Sequence, residues 1–339
     1  MKDPSNRNVS TPEDIQRIAT AFQQSRVLLT AVELDLFTAI GNKSLSSENI
    51  ASKIGTGFRA TDRLLNALCA IGLVSKKNKL FSNTPSAVKF LIKHKKRYMA
   101  GLMHTAGLWK KWHTLTDAVK KGSRTTPDPI KKRDPEWFEA FIAAMHYRAT
   151  ASASRMIAML DLSTVSRVLD IGGGSGAYAM AFVRARKEIT ATIFDLPNVI
   201  TLTKHYVVEA GLLDRINFAS GDYNKDVFGK GFDLAFISAI IHINSPEKNQ
   251  SLMDKAAKAL KPGGQVVIQD FIMENDRTSP PFGTFFALNM LVGTEDGDTY
   301  TEAEVKSWLK KSGFTGIRRL EEEGPVSTIV ARKKKITAL

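Results

Sequence analysis

Residues 168–182 read VLDIGGGSGAYAMAF: an apolar strand, a glycine-rich turn and the start of a helix. Gly172, Gly174 and Gly176 let the backbone turn tightly and pass close to a ligand at the helix N-terminus. With Ala177 they also satisfy the relaxed dinucleotide fingerprint, so the turn alone leaves a dehydrogenase open. Working outward, strand-like runs alternate with helical ones. SRVLDI, ITATIFD, RINFAS, FDLAFIS and GQVVIQD are the strands; GAYAMAFVRAR, PNVITLTKHYVVEAG and PEKNQSLMDKAAKAL are helices among them. This alternation predicts a doubly wound, mostly parallel α/β sheet. After the helix TEAEVKSWLKKSG come two strands, FTGIRRLE and PVSTIVARK, with no helix between them. They predict an antiparallel edge hairpin, making seven strands in all.

Before residue 150 the pattern is helical. Ser10 or Thr11 followed by Pro12 opens a helix, and VLLTAVELDLFTAIG, SSENIASKIG and RATDRLLNALCAIG each close on a glycine. LVSKKNKLFSN then reads as a small hairpin, and helix, turn, helix, hairpin is the order of a winged helix. As a DNA reader its second helix would offer only Arg59, Arg63 and Asn66, with Asp62 among them facing phosphate badly. The apolar segment 27–40 favours dimerisation instead. The chain divides into a winged-helix-like dimerisation domain over 1–105, linking helices over 106–150 that include a polar, Pro-containing loop at 122–135, and the α/β domain over 151–339.

Composition narrows the class. With 43% hydrophobic and 24% charged residues the chain reads as an ordinary globular protein. Its one cysteine, Cys69, stands among leucines, which excludes an internal disulfide framework and suits a reducing, cytoplasmic setting. No signal-like segment opens the chain, and no run approaches the roughly 20 apolar residues of a membrane span. The net charge of +14 is dispersed in short runs at 93–97, 131–134 and 332–335, read as solvated faces rather than a nucleic-acid surface. The histidines other than His242 show no paired ligand spacing, so no metal is expected.

Asp195 ends the second strand about 20 residues beyond the glycines, where a carboxylate can grip ribose hydroxyls. NAD and S-adenosylmethionine both carry that ribose. Asp170, Asp222 and the edge hairpin separate the two. Asp170 precedes the glycines, where it would oppose a pyrophosphate but accept an ammonium; Asp222 follows the third strand, within reach of an adenine amino group. Together with LKPGG before the fifth strand, they resemble the class I S-adenosylmethionine-dependent methyltransferases. The series VLDIGGGSGAYA, IFDLPNVI, GDYNKDVF, the His242 segment and LKPGGQVVIQDFI is similar to the plant caffeate and acetylserotonin type of small-molecule O-methyltransferases. So are AVELDLFTAIG, RLLNALCAIGLV and YTEAEVKSWLKKSGF, which cover the dimerisation domain and last helix.

The resemblance implies an S-adenosylmethionine-dependent O-methyltransferase releasing S-adenosylhomocysteine, a homodimer acting on a hydroxyl of a small aromatic or quinol-like molecule. It implies Gly172 and Gly174 along the methionine part, Asp195 and Leu196 at the ribose, Asp222 and Tyr223 at the adenine, and Ser238 from strand four. It implies His242, at the end of strand four, as general base, with Asp270 and Asp298 as carboxylates beside it. Phe285, Phe286, Asn289 and Met290 read equally as core or substrate wall, as do Met145 and His146. The chain departs from the plant pattern: His-Asp-Trp becomes His242-Ile243-Asn244, and flanking glutamates become aspartates. These departures leave open whether the plant phenolic acceptors and the full carboxylate support of the base carry over with the motifs. Methylation at N, S or C, a member turned to another reaction, and a winged-helix regulator with a cofactor-sensing domain stay open.

Overall fold

A computed structural model of the chain describes residues 9–125, 135–320 and 324–335. Most of the polar loop at 122–135 and the basic run at 131–134 lie outside the described residues. The chain divides into two compact units, Met1–Lys110 and Lys111–Leu339. The boundary read from the sequence at 150 falls inside the helix Pro135–Ala158, and the division between the units falls inside the helix Gly101–Trp112, five residues beyond the boundary read at 105.

The first unit begins with α1 (Pro12–Thr20), closed by a capping box between Thr11 and Asp14. None of its residues is buried, and Ile15 and Ile18 are 62% and 58% exposed. The long apolar segment is two helices rather than one, α2 (Phe22–Glu33) and α3 (Leu36–Ile40). The chain breaks at Asp35, whose left-handed φ of 55° an aspartate tolerates better than most residues. There follow β1 (Leu45–Ser46), α4 (Ser47–Ile54), α5 (Phe58–Ala70), β2 (Val74–Lys77), β3 (Leu80–Asn83), α6 (Pro85–Phe90) and α7 (Gly101–Trp112). Asn78 and Lys79 both have positive φ, the two-residue turn that matches strand twist in a hairpin. A third short strand, β1, pairs with β3 and completes a three-stranded wing. Leu36, Phe37, Ile40, Ile50, Leu65, Leu68 and Phe81 form a separate core. On α5, Asp62 accepts from Arg63 and Asn66, and Lys76 donates to Asn66, so these polar groups satisfy one another.

The second unit contains α8 (Leu115–Lys121), α9 (Pro135–Ala158), β4 (Arg167–Ile171), α10 (Ala177–Ala185), β5 (Thr190–Asp195), α11 (Pro197–Glu209), β6 (Ile216–Ser220) and β7 (Phe232–Ser238). Then come α12 (Pro246–Ala259), β8 (Leu260–Asp270), β9 (Ile272–Met273), α13 (Pro281–Gly293), β10 (Tyr300–Thr301), α14 (Glu302–Lys311), β11 (Phe314–Leu320) and β12 (Ser327–Lys333). Seven strands run in the order β11-β12-β8-β7-β4-β5-β6. β12 pairs antiparallel with both β8 and β11, and the pairs from β8 to β6 are parallel. Side chains alternate between the sheet's faces. Leu169, Ile171, Ala235, Ile237 and Ile268 pack with Leu252, Met253 and Leu309 on one face. Val168, Leu234, Phe236 and Val267 pack with Met156, Phe182 and Val183 on the other.

Register positions the site. Ile171 of β4 lies opposite Phe194 of β5 and Ile237 of β7, and Ile237 lies opposite Ile268 of β8. The carboxyl ends of these four strands are therefore level. In an open α/β sheet that edge holds the ligand crevice. No helix among the described residues is long and apolar enough to cross a membrane.

Candidate active site

Beyond β4, Gly172 and Gly174 have φ of 68° and 55°, values that L side chains rarely adopt. A Cβ on Gly172 would run into Ile240, whereas one on Gly174 would meet nothing, leaving open space above the turn. Asp195 at the end of β5 fastens this turn. Its Oδ2 accepts from Gly174 N at 2.8 Å and its Oδ1 from Leu196 N at 2.7 Å. Leu196, just before α11, is 40% exposed beside it. Each oxygen of Asp195 retains acceptor capacity, and burial raises its carboxyl above the ordinary range.

Asp170 is 2% exposed, and its Oδ2 is buried with no hydrogen-bond partner. Burial first, and Asp195 second, push this carboxyl up to about 7. A buried oxygen without a donor is costly, and a cation or N–H donor delivered by a ligand would relieve it. The methionine ammonium of S-adenosylmethionine fits that requirement, and the ribose hydroxyls fit the spare acceptors of Asp195.

Past β6, Asp222 caps its own turn. Its Oδ1 accepts from Asn224 N at 2.9 Å, and its backbone N donates to Asp226 at 2.8 Å. Tyr223 donates its phenol to Asn244 Oδ1 at 3.3 Å, and burial pushes the phenol up to about 12. Ser238 lies 3.3 Å from Gln269 Oε1, which also accepts from Tyr178 at 2.5 Å.

His242 does not lie at the end of the strand, as the apolar run suggested. β7 stops at Ser238, Ala239 turns the chain with a φ of 56°, and His242 sits in a 3-10 turn, Ile241–Ile243. The run continues in sequence because Ile240 and Ile241 are buried there too. His242 is 8% exposed, with Nδ1 2.7 Å from Asp270 Oδ1. Asp270 also accepts from Phe271 N at 2.8 Å and from Ile241 N at 3.1 Å. A carboxylate takes only donors here, which places the imidazole proton on Nδ1 and the lone pair on Nε2. Phe286 meets the ring at 5.0 Å with the two planes nearly perpendicular, and on Phe286 in turn Phe271 lies tilted at 4.1 Å and Phe282 stacked at 6.1 Å.

The remaining candidates distribute unevenly. Asp298 approaches His242 by its backbone: its N donates to His242 O at 3.0 Å. Its carboxylate turns to Arg277 at 3.3 Å and Thr299 N at 2.7 Å, so it does not orient the imidazole. Asn289 accepts from Trp112, and Met290 and Met145 are half-buried. Phe285, by contrast, is 63% exposed. His146 engages Ser175 of the glycine turn at 2.9 Å and stacks on Tyr206 at 4.3 Å, and burial lowers its imidazole. Among the described residues no group of three His, Cys, Asp or Glu converges as a metal site. Sequence reasoning missed Phe271, Phe282, Asn249 and Arg277. Only Phe271, directly after a strand-end acid, carried a signal.

Residues 112–315 match the family model described as O-methyltransferase domain, and residues 16–93 match that of the O-methyltransferase dimerisation domain. The tetracenomycin polyketide synthesis 8-O-methyl transferase TcmO of Streptomyces glaucescens is 31% identical over 97% of this chain and 98% of its own. The acetylserotonin O-methyltransferase of Gallus gallus is 29% identical over 93% of this chain and 95% of its own. Among solved structures, PigF with SAH superposes with a TM-score of 0.88 over 96% of this chain and 100% of its own. At 24% identity that likeness speaks for the fold alone.

Proposed function

Because the chain belongs to the O-methyltransferase family and is an S-adenosylmethionine-dependent enzyme of it, we propose that it methylates a hydroxyl of a small aromatic molecule of the polyketide kind, with His242 as base. The observation that carries this reading is the buried His242–Asp270 pair, with Nε2 left as acceptor at the carboxyl edge of the sheet. When bound, S-adenosylmethionine supplies an electrophilic methyl on a good leaving group. The protein's own part is then to hold the acceptor, exclude water and take one proton. A phenol's pKa is near 10, so little of it is ionised at neutral pH. Nε2 of His242 takes the hydroxyl proton as the oxygen attacks, and Asp270 holds the resulting imidazolium.

Asp170, Gly172 and Gly174 receive the amino-acid end of the cofactor, Asp195 and Leu196 the ribose, Asp222 and Tyr223 the nucleobase, and Ser238 completes this wall. Phe286, Asn289, Met290 and Met145 line the acceptor side. His146 supports the glycine turn through Ser175. Asp298 contributes through its backbone, by holding the carbonyl of His242. The dimerisation domain pairs two copies of this chain into a homodimer with no nucleic-acid partner, and the lone Cys69 suits a cytoplasmic setting.

The test is transfer of labelled methyl from S-adenosylmethionine to a panel of phenols, quinols and hydroxylated polycycles, beside amine, thiol and carbon acceptors. Product methylated on nitrogen, sulfur or carbon and none on oxygen would replace this reading.

A further inference from the structure

A chain of hydrogen bonds runs from Tyr223 to His242. Tyr223 OH donates to Asn244 Oδ1 at 3.3 Å, and Asn244 Nδ2 donates to Asn249 Oδ1 at 3.1 Å. Asn249 Nδ2 donates to Ile241 O at 2.9 Å. Ile241 N donates in turn to Asp270 Oδ2 at 3.1 Å, and Asp270 Oδ1 holds His242 Nδ1 at 2.7 Å. Asn244, Asn249 and Asp270 are 2%, 0% and 2% exposed, so water offers them no alternative partner.

The direction of the chain is determined from one end. Ile241 O can only accept, so Asn249 must present its amide nitrogen there and its oxygen to Asn244. Asn244 must then donate to Asn249 and turn its own oxygen to Tyr223, which has to be the donor. The raised phenol of Tyr223 stays protonated across the working pH range and meets that demand. The ends are also anchored. Lys255 Nζ grips Tyr223 O, and Tyr300 OH donates to the backbone oxygen of Asn244.

We propose that Asn244 is a positioning residue that couples the nucleobase end of the cofactor site to the base, so that filling that end sets the turn carrying His242. This rests on the reading of Tyr223 as a nucleobase wall and His242 as base. No proton travels along the chain, because it passes through the backbone of Ile241; the coupling is mechanical.

Adenosine is the probe, because it carries the nucleobase and ribose without the sulfonium and amino-acid end. The measurement is the histidine side-chain ¹⁵N and Cε1–H spectrum of the full-length protein, with the His242 signals assigned by their loss in His242→Gln. In wild type, saturating adenosine shifts the His242 signals. In Tyr223→Phe and Asn244→Leu adenosine still binds, with a thermal melt confirming the fold, and the His242 shift is lost. With S-adenosylmethionine saturating, methyl transfer in both falls about 10- to 100-fold, the scale on which small misplacements of a reacting group act. An undiminished adenosine response in Tyr223→Phe, which removes a single hydroxyl, overturns the coupling, and so does a wild-type spectrum that adenosine leaves unmoved. Failure of the base reading shows separately, as unchanged methyl transfer by His242→Gln.

Discussion

The Nδ1 of His242 and the Oδ1 of Asp270 lie 2.7 Å apart, and both side chains are buried. His242→Gln keeps an amide near the acceptor but removes the base. Single-turnover transfer should fall by about 10²–10⁴-fold while S-adenosylhomocysteine affinity, measured by calorimetry, stays nearly unchanged. Asp270→Asn is a harsher change than its size suggests. The carboxylate accepts from two backbone amides as well as the imidazole, so an NH₂ group must face a donor. It also invites the other imidazole tautomer, with the proton on Nε2. Transfer should drop nearly as far as in His242→Gln, with about 1–3 kcal/mol of stability lost as well. Transfer at the wild-type rate by either variant would remove the pair from the chemistry.

Asp170 gives cofactor affinity a pH dependence. Its carboxyl stands at about 7 against an ordinary 3.8, through burial and then Asp195. A raised folded value means the group's contribution to ligand-free stability is fully present below 3.8 and is lost as pH rises through about 7. Binding has the opposite sign. An ammonium beside the carboxylate favours its charged form, so affinity for S-adenosylhomocysteine should rise toward pH 7, by at most about tenfold per pH unit, and level off above it. Calorimetry in two buffers of different ionisation enthalpy should show a proton released below pH 7. Asp170→Asn should bind more weakly, with that pH dependence gone.

Much of this was legible because it leaves marks in sequence. The inner strands are buried on both faces and read as apolar runs, FDLAFIS matching β7 residue for residue. The glycine turn is legible because positive φ at Gly172 and Gly174 demands a residue without Cβ. The His242 turn leaves no such mark, since an alanine, Ala239, takes the left-handed conformation. Strands β9 and β10 are two residues each, too short for any period to register. The direction of the Asp298 carboxylate depends on Arg277, 21 residues earlier in the chain. Tyr223, Asn244 and Asn249 likewise meet across a turn and a helix start, where no spacing rule applies.

The exposed stripe on α1 bears on assembly. Ile15 and Ile18 share one face of a well-capped helix that buries nothing in its own protomer. Such a face is covered by a partner or left at a cost. Sedimentation should show a dimer at micromolar concentration. Ile15→Asp with Ile18→Asp should shift it toward monomer with little change in the melting of the protomer. A variant that remains fully dimeric would place the interface elsewhere on this unit.

Gly297 separates damage to the base from damage to the cofactor site. Its φ is not in the left-handed region, so conformation does not require glycine there; space does. A Cβ would lie 2.5 Å from His242 O and 2.5 Å from Thr294 Oγ1, and 3.3 Å from Ile243 Cα. Two of these three atoms are backbone, so a side-chain rotation cannot relieve the contact. The neighbouring Asp298 N–H holds the same His242 carbonyl at 3.0 Å. Gly297→Ala must therefore push the Ile241–Ile243 turn or the 294–298 segment away. Transfer should fall about 10- to 100-fold through displacement of the imidazole, with stability reduced by about 1–3 kcal/mol, the usual cost of overpacking. S-adenosylhomocysteine affinity should change far less than transfer does, by no more than the coupling through Asn244 carries. Gly174→Ala should do the reverse. Its Cβ meets no protein atom but occupies the open space above the turn, at a φ of 55° that costs an alanine about 1–2 kcal/mol. Affinity should fall there, while the His242 spectrum of the ligand-free protein stays as in wild type. If Gly297→Ala instead weakens cofactor binding and transfers methyl normally once saturated, the loop carrying Gly297 and Asp298 serves the cofactor and not the base.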